Sequence, residues 1–529
     1  VIRDLQPVER TALERPILLL AVLWYLITAW FSTGYLHGDE HYQILEFAGS
    51  IAGWNRPEDL AWEHAARIRP ALQPILAYLF LSGAEWSGLS DPFIQAFLLR
   101  AISGLLAVFL LHRMWRTVRH LLASELHTAF LALTLFLWFM PMLGVRFSSE
   151  NWSGLLLLPV MSAAMAGRVA ARDLFRMGVL LGLAFQFRYQ VALCAMGLFA
   201  WYAFVQRAPR QHLVMGAFGF LIVFAAGLIV DRWFYGEWVV AAWNYLRYNV
   251  VDGRAAEYGT APWYHYPYLI FRFAFFPIGI IILLATAAGL YLERRGPLTW
   301  AFIPFLLVHT ALAHKELRFL FPLVPWVPFM ILRVWGAIAS PVRERTWGRW
   351  TMGAWCVVNT IALVVASVTP QATGRADIMA FVRSRSIGTR TVVNVGPKAD
   401  PFDPWNGLVA RFYRPEVLDI RKWEGPDADT LIAPSLFILE RRQWETGPVT
   451  QWAEQHGLEE LTTSYAPGLR PLLKLYGGIN LQDELIVLGR RLNRRQLMKR
   501  DLPLVRDRRP PVETYDAKEH QYRTQLSRA

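Results

Sequence analysis

The stretch PILLLAVLWYLITAWFSTGYL, residues 16–36, carries no charge and runs directly into His37-Gly38-Asp39-Glu40-His41. About 20 apolar residues let a helix cross the bilayer core, so this run predicts a first membrane span. It is too long, and too poor in a small-residue cleavage site, to read as a signal peptide. A pentad able to carry chemistry therefore begins where a membrane helix ends.

Similar apolar runs recur at 94–112, 127–145, 151–167, 213–230, 273–292, 298–313, 317–336 and 351–369. The stretch 177–206, interrupted by Arg188, reads as a tight hairpin of two short spans. The sum is an all-α polytopic membrane protein of about eleven transmembrane helices. Composition agrees: of 529 residues 54% are hydrophobic and 18% charged, against about a quarter charged in soluble domains. Disordered, collagen-like and disulfide-rich secreted classes are excluded. The net charge of +13 sits in short clusters between apolar runs and in a C-terminal tail, so no nucleic-acid partner is expected. Nearly all the cations are Arg, a skew that points to a GC-rich, bacterial genome. Cys194 and Cys356 lie in apolar runs and read as packed thiols.

Charge placement predicts orientation. Short connections holding Arg113, Arg116 and Arg119, then Arg168, Arg172 and Arg176, Arg207 and Arg210, Arg294 and Arg295, and Arg343, Arg345 and Arg349 alternate with longer acidic ones. The positive-inside rule then puts the N-terminus and the basic loops in the cytoplasm. Facing the other way are large loops at 35–91, expected to hold interfacial or re-entrant helices, and at 231–267, crowded with Trp, Tyr and Asn. Residues 1–370 form the predicted transmembrane domain, and 371–480 a small extracytoplasmic α/β domain. Its helices are expected at Ala376–Arg385 and Arg442–His456, its strands at Thr391–Val395, Leu431–Leu439 and Leu461–Tyr465. Residues 481–529 read as an Arg-rich tail. No internal repeat is visible.

Three segments on the extracytoplasmic side can carry chemistry. Asp39 suits a general base if held near apolar surroundings, a helix N-cap, or a metal site with His37 and His41 four positions apart. His314-Lys315-Glu316-Leu317-Arg318-Phe319 offers cations for a lipid-linked phosphate, or an interfacial Lys–Glu pair with snorkelling side chains. Asp231 through Trp238, with Tyr235, then Asn244, Asn249, Tyr258, Trp263 and Tyr264, suits a sugar's apolar face and hydroxyls, or an aromatic belt at the membrane interface. Arg146 to Asn151 and Arg188 add charge on the same side. With no phosphate-binding Gly-rich loop, a nucleotide-driven pump is not expected. The composition of the site fits transfer chemistry on a lipid-phosphate substrate, and it also fits a lipid or glycan transporter.

Together the three segments resemble the family 22 glycosyltransferases, the GT-C-type mannosyltransferases of N-glycan and GPI-anchor assembly that use dolichyl-phosphate mannose. His37-Gly38-Asp39-Glu40 is similar to that family's first-loop pattern, with Gly38 where the pattern has Pro; the 231–264 and 314–322 segments resemble its later signatures. The resemblance covers about 16–370 and implies a GT-C architecture. Asp39 would be the base, with Glu40 ranked second; His314, Lys315 and Arg318 would bind the donor phosphate. Tyr235, Trp238, Asn244, Asn249, Tyr258, Trp263 and Tyr264 would meet sugar or acceptor. The implied reaction is inverting transfer, of mannose first and another sugar as the alternative, from a polyprenyl-phosphate donor to a glycan or glycolipid acceptor. Protein cations offset the phosphate charge, so no metal or other cofactor is required. The implied place is a bacterial inner membrane with the site facing the periplasm, or an ER membrane facing the lumen.

Overall fold

The structure, a computed structural model, describes residues 13–338, 346–386, 391–405, 407–415, 418–426, 435–476 and 480–490. Arg343, Arg345 and residues 491–529 of the expected tail lie outside them.

Helix occupies every stretch expected to be an apolar span, though broken differently than a bare hydropathy reading suggests. By length and composition, four described helical stretches can cross a bilayer: Glu14–Phe31, Pro92–Leu121, Arg210–Tyr235 and Leu317–Ala337. A bent pair, Gly353–Val368 with Ala372–Ser386, makes a fifth, and Tyr189–Phe204, Ile278–Leu292 and Pro297–Ala311 are shorter apolar helices. The breaks have local causes. The 127–145 run splits into His127–Phe136 and Phe139–Gly144, where Leu137 turns to extended backbone. Leu317–Trp326 is a 3-10 helix containing Pro322 and Pro325, which lack the amide donors an α-helix needs. Ala171–Phe187 ends at Arg188, whose backbone is extended before the chain turns through Tyr189–Val191 into Ala192–Phe204.

Close helix packing is made by small residues. Gly178 and Gly219 let Ala171–Phe187 and Arg210–Tyr235 approach until a Cβ at either position would lie 1.9 Å and 2.4 Å from a facing backbone oxygen. Where lipid surrounds the helices, such backbone proximity replaces the hydrophobic drive as the source of association. Gly154 does the same for Ser149–Met165 against the backbone of Pro322. That contact fixes the late segment beside the start of the Ser149–Met165 helix.

One expected boundary moves: Arg210–Tyr235 stays helical through Asp231, so the connection expected to begin at 231 begins at Gly236. The first long connection folds into short helices, among them α2 (Gly38–Tyr42) and α3 (Leu45–Ala52). Beyond 370, five strands among the described residues form one mixed sheet: β1 Thr391–Val395, β2 Leu418–Lys422, β3 Ser435–Glu440, β4 Glu459–Thr463 and β5 Leu485–Gly489. Their order is β2-β1-β3-β5-β4, with β1 parallel to β2 and β3, and β5 antiparallel to β3 and β4. β5 lies inside the stretch expected to be tail. Its five residues are all buried between two partners, so the sheet extends past the boundary at 480. β2 was also missed, and the expected helix Arg442–His456 is two, Arg441–Trp444 and Gly447–Gln455.

The sheet is not a free-standing appendage. One apolar core joins Tyr35, Tyr42 and Phe47 of the first connection to Met379, Val393, Phe402, Phe412 and Ile438. Polar links follow the same seam: Gln371 N–H donates to Thr33 C=O at 2.8 Å, Phe412 N–H to Glu46 at 3.1 Å, and Arg411 pairs with Asp59 at 2.6 Å.

Candidate functional site

Helix α2 starts one residue after His37, which is its extended N-cap and accepts from the Asp39 amide through Nδ1 at 3.3 Å. The capping role considered for Asp39 therefore belongs to His37. Gly38 has a reason of its own: a Cβ there would lie 2.7 Å from the ring of Trp405, which the sheet region lays against this turn. His41, at the end of α2, is buried, 2.8 Å from Glu46 and stacked between Tyr35 and Tyr413. It is thus withdrawn from His37, and the three-residue metal reading has no geometric basis; among the described residues no three His, Cys, Asp or Glu converge on a metal-sized site.

Asp39 stands in a chain of alternating charges. Its Oδ2 accepts from Arg318 Nη1 at 2.7 Å and from Arg69 Nη2 at 3.3 Å. Arg318 also donates through Nε to Glu316 at 2.6 Å and through Nη1 to Glu150 at 3.2 Å. Glu150 in turn accepts from Arg188 at 2.8 Å, and Arg69 lies 3.6 Å from Glu63. Burial pushes the Asp39 carboxyl up, but Arg318, His37 and Arg69 together outweigh it and hold the group well below the usual carboxylate range. Glu316 likewise resists its burial, drawn down to about 2 by Arg318, His314 and His37. Glu63 goes the other way, raised by burial that Arg69 does not offset.

The remaining expected residues divide. Glu40 turns into the protein, accepting from Leu36 N–H at 2.8 Å and facing Arg146 at 3.9 Å, and burial raises its carboxyl. It braces the start of α2 and also lines narrow pockets with Asp39, Arg69, Glu150 and Arg318, so its rank behind Asp39 rests on its contacts with Leu36 and Arg146. His314 bridges Gly259 C=O and Glu316 at 3.1 and 2.8 Å. Lys315 does not join Arg318: its ammonium donates to the carbonyls of Ala261 and Leu312 and ties the late segment to the 259–262 strand of chain. The interfacial Lys–Glu pair considered for this segment is also replaced, because Glu316 pairs with Arg318.

Two cavities meet here. A cavity of about 910 Å³ is lined by Asp39, Glu63, Arg69, Arg188 and Arg318, and by Trp62, Tyr245, Asn249 and Tyr258. A second, about 500 Å³ and walled by Trp138, Phe139, Phe273, Phe302 and Phe321, shares His37, Glu316 and Arg318 with the first. Of the expected sugar-contacting residues, Asn249 and Tyr258 line the larger cavity. Tyr235 donates its hydroxyl to Arg69 C=O at 2.7 Å and Asn244 its amide to Arg67 C=O at 3.3 Å, so both brace the loop that presents Arg69. Trp238, Trp263 and Tyr264 stand outside this cavity, each more than half exposed, a placement that suits an interfacial aromatic belt. Arg69 and Glu63 carry no motif, only a position in the charged first connection of the same predicted face, whereas Glu150 lies within the Arg146–Asn151 stretch already read as added charge there.

Fold and site together define a polytopic membrane protein of GT-C architecture with a charged centre between two cavities. ArnT from Cupriavidus metallidurans, solved bound to undecaprenyl phosphate, shares the fold at a TM-score of 0.53 and 11% identity, with 90% of this chain and 98% of that one covered. The chain belongs to the Alg9-like mannosyltransferase family, matched over residues 16–396. It is 25% identical over 307 residues to GPI alpha-1,2-mannosyltransferase 3 of Xenopus laevis, covering 54% of each chain. To Mannosyltransferase APTG1 of Arabidopsis thaliana it is 24% identical over 326 residues, covering 60% of this chain and 58% of that one. A probable Dol-P-Man:Man(7)GlcNAc(2)-PP-Dol alpha-1,6-mannosyltransferase of Schizosaccharomyces pombe matches at 29% over 118 residues, 22% of this chain and 20% of that one. The chain thus spans little more than half the length of the longer-matched of these relatives.

Proposed function

We propose that this protein transfers mannose from a polyprenyl-phosphate donor to a hydroxyl of a lipid-linked or surface glycan, on the extracytoplasmic face of its membrane. The observation that carries the reading is the Asp39–Arg318 contact at the junction of the two cavities. The apolar cavity suits the first prenyl units of the donor, and the larger one, with its aromatic and amide lining, suits sugar and acceptor. Relatives named as alpha-mannosyltransferases, one with Dol-P-Man in its name, and a fold neighbour solved with undecaprenyl phosphate support the donor class. The alternation of short basic and long acidic loops supports the orientation.

In this scheme the acceptor oxygen attacks the anomeric carbon while the bond from that carbon to the phosphate oxygen breaks. The bonding electrons leave with the phosphate, the acceptor proton passes to Asp39, and configuration inverts from a β-linked donor to an α-linked product. Arg318 couples the two ends. Without donor it neutralises Asp39 and leaves a weak base. A phosphate competing for the guanidinium loosens that hold, and burial, the largest influence on Asp39, then raises its proton affinity. Base strength would thus rise as donor arrives.

Incubating the purified protein in lipid nanodiscs with radiolabelled polyprenyl-phosphate mannose and an acceptor lipid extract tests the reading. A new labelled glycolipid, absent with Asp39→Asn, is the expected result. Label that stays on the donor, or only changes leaflet, would reject it.

A further inference from the structure

Arg318 is expected to hold the donor phosphate, yet four of its five N–H groups already have partners: Nε and one Nη2 N–H on Glu316, and the two of Nη1 on Asp39 and Glu150. Arg188 is different. It is 4% exposed, it lines the larger cavity, and its Nε is buried with no hydrogen-bond partner among the described residues. A buried guanidinium N–H left unpaired is costly, and a ligand oxygen would relieve it. Its Nη1 meets Ser149 and Glu150, and Glu150 Oε1 is the oxygen that also accepts from Arg318. Both guanidiniums stack on one ring, 5.3 and 5.2 Å from the centroid of Phe319. Two planar cations are therefore held side by side, with one carboxylate fixing their spacing.

We infer that Arg188 is the second cation of the donor-phosphate site, acting beside Arg318; the inference rests on the polyprenyl-phosphate reading above. Among the described residues Arg69 Nε is unpaired too, but its guanidinium is held by Asp39 and Glu63. In an inverting transfer the leaving phosphate lies across the sugar from the base; Arg318 reaches it only by giving up Asp39, so the cation beside it has to be one that does not contact Asp39. Arg188 meets that condition, reaching the cluster through Glu150, one carboxylate removed. The backbone is extended at Arg188, between Ala171–Phe187 and the turn Tyr189–Val191.

The test measures binding of undecaprenyl phosphate and of undecaprenol, which lacks the phosphate, to detergent-purified protein. Variants are Arg188→Gln, Arg188→Lys and the double variant Glu150→Gln with Arg188→Gln. Wild type should bind the phosphate-bearing lipid more tightly; equal affinity for the two lipids would sink the donor reading itself and this inference with it. Given that preference, Arg188→Gln should weaken undecaprenyl phosphate by tenfold or more and leave undecaprenol unchanged, with Arg188→Lys in between. The donor KM should rise in step. The double variant removes the buried Glu150 charge that Arg188→Gln would leave to Arg318 alone, so it keeps the test decisive if the single variant does not fold. Persistent weak phosphate binding there is expected, whereas recovery to wild-type affinity would show that Arg188 serves only to neutralise Glu150 and would overturn the assignment.

Discussion

Asp39 and Arg318 are 279 positions apart in sequence and 2.7 Å apart in space. The contact needs the turn after the first membrane helix and the 3-10 segment Leu317–Trp326 to face one another across the mouth of two cavities. Gly154, by admitting the backbone of Pro322, lets that 3-10 segment pack against the Ser149–Met165 helix. A carboxylate so placed is kept charged by a cation that a phosphate can claim.

Asp39→Asn should lower transfer by about 10²–10⁴-fold, the usual worth of a positioned base. Glu40→Gln should keep most of the activity, since Glu40 faces Leu36 and Arg146. Initial rates of radiolabel transfer for the two variants check this. Equal losses would remove Asp39 from its assigned role.

Arg318→Gln takes away the strongest influence holding Asp39 charged, and burial then dominates. The carboxyl pKa rises, so more of it is protonated at a given pH. The acid limb of the pH–kcat/KM profile should move upward by about one to three pH units, the scale of a close opposite charge. An unmoved limb would mean that Asp39 is not the titrating base.

Glu316 concerns stability. Its folded pKa, about 2, lies below the ordinary 4.5, so it contributes stability above the ordinary value that is lost as pH falls through 4.5 toward 2. Glu316→Gln should therefore flatten the fall of the unfolding midpoint with acid in that window. Thermal unfolding in detergent at stepped pH reads it, and parallel curves for both proteins would count against the assignment.

Gly178→Leu should destabilise the helix pair Ala171–Phe187 and Arg210–Tyr235, because a Cβ meets the Gly216 carbonyl at 1.9 Å. Overpacking of this kind costs about 1–3 kcal/mol. Gly83→Ala is the control: among the described residues nothing lies within 4 Å of its Cβ position, and a helical alanine is favoured by about 0.5–1 kcal/mol. Unfolding midpoints should separate the two in opposite directions.

Glu46 accepts from Asn55 at 2.6 Å and from the Phe412 amide at 3.1 Å, and it pairs with His41. Glu46→Ala strands these buried partners at about 1–3 kcal/mol each. The variant should lose stability and also lower transfer, because α2 is braced from the sheet through this carboxylate. Full activity in a destabilised variant would disconnect the sheet from the site.

What could be read from the chain follows physical locality. Apolar runs near bilayer length marked where helices lie, since burial in lipid is dictated segment by segment. The pentad at 37–41 and the cluster at 314–319 announced chemistry because charge beside a membrane helix needs a reason. Strand β1 showed its β-branched pattern, while β5, Leu-Ile-Val-Leu-Gly, was hidden by the basic sequence that follows it.

Tertiary packing decided the rest. Lys315 and Arg318 are three positions apart and read alike, but the lysine is spent on the carbonyls of Ala261 and Leu312 while the arginine reaches Asp39. Glu150 and Arg188 join the cluster where Pro322 packs against Gly154 and the chain turns extended at Arg188. Composition and periodicity therefore determined the membrane fold and the residues able to act. Which carboxylate faces which cation was set by contacts between distant segments, because an ion pair depends on a separation of a few ångströms that no local pattern encodes.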